Sequence, residues 1–188
     1  MNKLFSKKFA DYLEKQSIIK NDEKNIYSYG ISQTVFILLN LFITFLIAFL
    51  LDKKVELLIF ILEFATLRSF SGGYHSKNPV ICTFISSIVQ IIAVCSLDMI
   101  YLNKEMLIAF TIIISLLIAF ISPIEANNKP LDDLEKKVYK HRTIVILIAL
   151  NIVSILGCFL EKTVVVKITF ITVLLVVFLQ ILSKFRKE

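Results

Sequence analysis

The sequence predicts an all-α, polytopic integral membrane helical bundle of about six spans, led by an N-terminal amphipathic helix in the membrane interface. Three observations carry that prediction. The 188-residue chain is 57% hydrophobic, above the roughly 45–50% of ordinary globular chains, and its mean hydropathy is +0.79. Several uncharged apolar runs come close to or reach the ~20 residues needed to cross the hydrocarbon core. What lies between them is too short for a separate soluble domain. Residues 1–188 therefore read as a single membrane domain, with an interfacial segment over 1–29, a transmembrane bundle over 31–182 and a tail over 183–188.

In the leading segment, Leu4, Phe5, Phe9, Tyr12 and Leu13 fall on one helical face. Lys3, Lys7, Lys8, Asp11, Glu14 and Lys15 fall largely elsewhere, which is the pattern of a helix lying in the membrane interface. A solvated leader is the plainer alternative. No cleavable signal peptide is expected, because the segment is charged and the first apolar run is too long for a signal core. The spans then fall at 31–51, 55–70, 80–101, 106–122, 143–160 and 164–182. The second is the weakest. It carries Glu63 in mid-run and Arg68 five residues later. A partial or re-entrant helix there would need protein or water to cover its backbone.

The 123–142 loop is the only sizeable connection. In it Asp132, Asp133 and Glu135 precede Lys136, Lys137, Lys140 and Arg142, the order in which a short helix complements its own dipole. Its basic end suits an anionic lipid or an acidic peptide. A charge cluster that only sets topology explains it equally well. Most of the Lys and Arg residues fall in the N-terminal segment, the 71–79 loop, this loop and the tail. The opposite side holds Lys53, Lys54, Lys104 and Lys162, with Lys167 near its edge. The positive-inside rule puts the richer side, and both termini, in the cytoplasm. The formal charge of +6 is thereby explained without a nucleic-acid partner, and no basic patch with interleaved aromatics argues for one.

Three cysteines, Cys82, Cys95 and Cys158, form no disulfide framework. The only histidines are His75 and the distant His141, too few for a zinc-type ligand set, so neither metal nor cofactor is expected.

The chemically distinctive stretch is Arg68 to Cys82, which contains Gly72-Gly73-Tyr74-His75 and Asn78-Pro79. Asn is a favoured N-cap and Pro a favoured first helical residue, so a helix starts there with Cys82 in its first turn. That position favours the thiolate, the nucleophilic form. In one continuous helix the seven-residue gap would hold His75 about two turns, roughly 10 Å, from Cys82. The glycine pair allows a fold-back that would bring them together, since glycine tolerates positive φ. The parts are those of a thiol nucleophile with a histidine base and backbone oxyanion donors. The bland alternative is a small apolar Cys in a span and a polar His near headgroups. A transport reading rests instead on Glu63 and Asp98, ionisable groups within spans. Its own bland counterpart is a structural Glu63–Arg68 pair.

Arg68, the Gly72-Gly73-Tyr74-His75 run and Cys82 resemble the signature of the AgrB family of accessory gene regulator proteins. The chain length, the six-span hydropathy and the Lys129-Pro130-containing loop are also similar to that family. The resemblance implies a cysteine endopeptidase of Gram-positive quorum sensing, embedded in the cell membrane with a cytoplasmic active site. It would cleave the C-terminal tail from an AgrD-type pro-peptide and promote cyclisation to a thiolactone autoinducing peptide. On this resemblance Cys82 is the nucleophile, forming an acyl-thioester, and His75 the general base. Arg68, Gly72, Gly73 and Gln33 take supporting roles. The charge pattern makes Lys129, Lys136, Lys137 and Lys140 the residues to receive the charged peptide. The expected partners are that pro-peptide, the lipid bilayer and, from the resemblance alone, a second copy of the chain. The alternative function is a transporter or exporter of a small peptide without proteolytic activity.

Overall fold

The computed structural model describes residues 2–16, 18–72, 79–125 and 131–185. Seven helices occupy them: α1 (Asn2–Lys15), α2 (Lys24–Leu50), α3 (Lys54–Ser71), α4 (Pro79–Ser96), α5 (Lys104–Ile121), α6 (Asp133–Phe159) and α7 (Thr163–Phe185). Single 3-10 turns cover Asn21–Glu23 and Leu97–Met99. The expected all-α membrane bundle is what the chain forms. It divides into two compact units, Met1–Leu46 and Ile47–Glu188.

In the first unit, α1 docks on the opening turns of α2. Lys24 pairs with Asp11 and, at 2.8 Å, with Glu14. Ser28 Oγ donates to Ser6 Oγ at 3.3 Å, and Ala10 is fully buried. The rings of Phe9 and Tyr12 stay exposed with centroids 6.4 Å apart, an apolar surface suited to the lipid interface. The first span was expected from residue 31, but α2 already begins at Lys24. Its polar start is helical because the docked α1 and the ion pairs of Lys24 hold it.

In the second unit α7 is the central helix. It packs against α3, α5 and α6 and, more lightly, against α4. Its Val166, Ile168, Val173 and Val176 are essentially fully buried. One core cluster joins Leu67, Ile118, Leu147, Leu150, Val173, Val176 and Val177. The outer faces are apolar as well, with Phe84, Leu116, Phe120 and Phe159 all exposed. A soluble monomer does not present apolar surface on that scale, whereas a bilayer covers it.

Five helices, α2 and α4 to α7, are long and apolar enough to cross a membrane. The segment expected as the weak second span is α3, which runs unbroken through all 18 of its residues. Lys54, Glu56, Glu63 and Arg68 are spread along it, whereas each of the other five holds a long, nearly uncharged apolar stretch. The charged run after residue 131 is not a separate short helix. It is the opening of α6, one helix of 27 residues that continues into the apolar stretch. Asp132 caps it: its Oδ1 accepts from Glu135 N at 2.6 Å, and the Glu135 side chain accepts from Asp132 N at 3.3 Å. This reciprocal capping box satisfies two of the orphan donors at a helix start.

Within the second unit several polar groups find one another across helices, as an apolar surrounding favours. Asn151 Nδ2 donates to Ser115 Oγ at 3.0 Å, linking α6 to α5. Thr169 Oγ1 of α7 donates to Glu63 Oε1 of α3 at 3.0 Å. The anticipated Glu63–Arg68 pair is therefore not formed. Five positions along a helix lie about 140° apart around its axis, so the two side chains leave α3 in different directions. Asp98 is exposed and paired with Lys53 at 3.2 Å.

Candidate functional site

Cys82 is the fourth residue of α4, which begins at Pro79 as the Asn78-Pro79 pair predicts. Its thiol is half-buried and in no disulfide. It lines a small cavity of about 20 Å³ together with Phe64 and Arg68 of α3, Ile85, Ser86 and Val89 of α4, and Leu179 of α7. The guanidinium of Arg68 interacts electrostatically with Cys82. Its carbon also lies 5.7 Å from the centre of the Phe64 ring. α3, α4 and α7 thus bring a cation and a thiol to one largely apolar wall. In such surroundings a charge is felt more strongly than in water.

The end of α3 is held with unusual care. Gly72 has φ +77° and ψ −167°, a conformation essentially confined to glycine. It forms a parallel bridge with Ile124, beyond the end of α5. A Cβ on Gly72 would collide with the Ile124 carbonyl oxygen. Ile124 N donates to Ser71 O at 3.1 Å, and Gly72 N donates to Arg68 O at 3.2 Å. The Nε2 amide of Gln180 on α7 donates to Ser71 O at 3.0 Å and to Ser122 Oγ at 2.9 Å. Three segments distant in sequence therefore meet within one junction at Gly72. Gln180 is not among the residues that motif reasoning picks out. Its one signal is that it is the lone amide in the apolar run 164–182.

His75, Gly73 and Lys129 lie outside the described residues. Of the other expected residues, Gln33 is exposed on α2, in the first unit. Lys136 is paired with Glu125 at 2.8 Å, while Lys137 and Lys140 are exposed. The basic opening of α6 packs on the end of α3. The Phe70 and Tyr139 rings stand 5.9 Å apart, and the Arg142 guanidinium lies 5.2 Å from the Phe70 ring. The basic cluster and the junction at Gly72 thus share one end of the second unit. Among the described residues no group of three or more His, Cys, Asp or Glu side chains is placed to hold a metal ion.

Comparison with known proteins follows the same lines. The sequence pattern of the family described as accessory gene regulator B (AgrB) matches residues 6–183. An AgrB-like protein of Clostridium perfringens strain SM101 is 30% identical over 144 residues, covering 73% of this chain and 65% of the relative. A second AgrB-like protein, from C. perfringens strain 13, is 27% identical over 139 residues, covering 70% and 65%. An AgrB-like protein of Clostridium acetobutylicum is 29% identical over 89 residues, covering 47% and 43%. The chain thus spans just under two thirds of the length of the two C. perfringens relatives. No solved structure matches the chain significantly.

Proposed function

The chain belongs to the accessory gene regulator B family, and from that premise we propose that it is a membrane-embedded cysteine endopeptidase. Its substrate is an AgrD-type quorum-sensing pro-peptide, whose C-terminal tail it removes. The observation that carries the reading is the pairing of Cys82, in the first turn of α4, with Arg68 of α3 across one small cavity. His75, seven residues before Cys82, is the general base of the proposal.

The chemistry runs in two exchanges. His75 takes the thiol proton, and the Cys82 thiolate attacks the scissile carbonyl carbon. The oxyanion that forms collapses, breaking the C–N bond. The imidazolium gives its proton to the leaving amine, and the tail departs. The acyl group is then held on Cys82 Sγ as a thioester. A cysteine thiol of the same substrate loses its proton to His75, attacks that carbonyl and expels the Cys82 thiolate. One thioester replaces another, so the step is close to neutral in free energy, and the product is a thiolactone. Water would divert it to hydrolysis, and the apolar wall of Phe64, Ile85, Val89 and Leu179 supports its exclusion. The exposed Lys137 and Lys140 beside the end of α3 are proposed to receive the charged tail.

The same reading puts the active site and both termini on the cytoplasmic side of a Gram-positive cell membrane, following the charge asymmetry. Pairing of two copies rests on the resemblance alone. The test is co-expression with the pro-peptide. Cys82→Ser and His75→Ala are expected to abolish processing while the protein still inserts, and intact mass should find an acyl adduct on Cys82. Processing that survives either substitution removes the endopeptidase reading. An exporter without proteolysis is the second reading, and the buried Glu63 on α3 is what favours it. It predicts that Glu63 and Asp98 are indispensable and that the peptide crosses uncut.

A further inference from the structure

Gln180 lies fully buried on α7, one residue after Leu179, which lines the cavity of Cys82. A buried amide on so apolar a helix needs a reason. Its Nε2 makes both of its hydrogen bonds to helix ends: to the carbonyl of Ser71, the last residue of α3, and to the hydroxyl of Ser122, just past α5. The Ser71 carbonyl also accepts from Ile124 N. As one of the last carbonyls of its helix it has no partner within α3, and these two donors supply what the helix cannot. The amide can face only one way, because a carbonyl accepts and never donates. Its own Oε1 is buried with no hydrogen-bond partner among the described residues. Gln180 is therefore held by its donors, both spent on the junction at Gly72.

We infer that Gln180 is a positioning residue for the proposed reaction, tying the end of α3 to the turn after α5 and so fixing Gly72 relative to the first turn of α4. This rests on the endopeptidase reading above. Gly72 lies three residues before His75, and Pro79 opens the helix of Cys82. Gly72 and Pro79, the described residues on either side of 73–78, thus belong to separate elements. Only the Gly72 end depends on Gln180. α7 serves both halves of the site through adjacent residues, with Leu179 lining the cavity of Cys82 and Gln180 bonded to the junction.

The test uses the full chain in lipid nanodiscs and two variants, Gln180→Met and Ser122→Ala. Met keeps the length and loses both donors, while Ser122→Ala removes only one of the two bonds. Amide exchange at Ile124 should rise about tenfold or more in Gln180→Met and less in Ser122→Ala. Single-turnover cleavage of the pro-peptide should fall roughly 10- to 100-fold in Gln180→Met, the scale of a misplaced catalytic group. KM should stay within about threefold, because the tie is not a binding contact. Alkylation of Cys82 by iodoacetamide should stay within about twofold, since neither Cys82 nor Arg68 touches the amide. The double variant should be no worse than Gln180→Met, because the two share a bond. Unchanged protection at Ile124 overturns the tie. Unchanged cleavage beside raised exchange overturns the positioning role. A fall in cleavage accompanied by a raised KM and faster alkylation means general loosening of the bundle and overturns it too. A wild-type chain that leaves the pro-peptide intact sinks the endopeptidase reading and the positioning role together, whereas a cleaving wild type with an unaffected Gln180→Met sinks the positioning role alone.

Discussion

Substituting Gly72 by alanine puts the geometry of the junction under direct strain. Its φ of +77° with ψ of −167° costs any other residue about 1–3 kcal/mol. The added Cβ would also run into the Ile124 carbonyl oxygen, and overpacking of that kind costs about 1–3 kcal/mol more. The combined strain is about 2–6 kcal/mol. Against it stand the bonds from Ile124 N to Ser71 O and from Gly72 N to Arg68 O, each worth about 1 kcal/mol net. Over most of that range the strain exceeds these two bonds, so the junction opens more often while the bundle keeps its packing. Even the lower figure of about 2 kcal/mol raises the open population roughly 30-fold. Hydrogen–deuterium exchange in nanodiscs measures this at the Ile124 amide. Gly30→Ala on α2 is the control, since nothing lies within 4 Å of a Cβ there and alanine is favoured over glycine in a helix by about 1 kcal/mol. Wild-type protection of Ile124 in Gly72→Ala would falsify the reasoning about this junction.

Three further outcomes are expected. Arg68→Gln should slow cleavage of the pro-peptide about tenfold or more, with Arg68→Lys recovering part of the rate, because a cation in the cavity of Cys82 stabilises negative charge that develops there during the proposed reaction. Glu63→Gln should keep insertion and keep cleavage within about threefold, since an amide oxygen can still accept from Thr169; loss of function there would favour the exporter. Asp132→Ala removes the capping box of α6 and should destabilise its first turn by about 1 kcal/mol. That is read as faster amide exchange over residues 133–136, with the apolar part of α6 unchanged.

Much of the membrane architecture was legible because it depends on local sums. A run of apolar residues is long enough to span or it is not, whatever its neighbours do. The start of α4 was legible for a similar reason, since Asn78-Pro79 acts on the backbone within one turn. The start of α6 was not. The charge order at 132–142 reads as a short helix, and only a continuous backbone into the apolar stretch reveals one helix of 27 residues. Glu63 was misread for a related reason. Spacing along α3 offers Arg68 as its partner, but the partner is Thr169, 106 residues away on α7.

The stretch from Arg68 to Cys82 separates the two kinds of knowledge. The sequence by itself determined the residue types of the proposed thiol site, the glycine at the turn and the helix that presents the cysteine, because each follows from one residue's own chemistry or its nearest neighbours. Tertiary structure alone decided that Arg68 and Cys82 share a cavity, that Gly72 meets Ile124, and that Gln180 fastens the ends of α3 and α5. These depend on where separate helices cross. That crossing is set by packing around α7, and no local pattern in the chain encodes it.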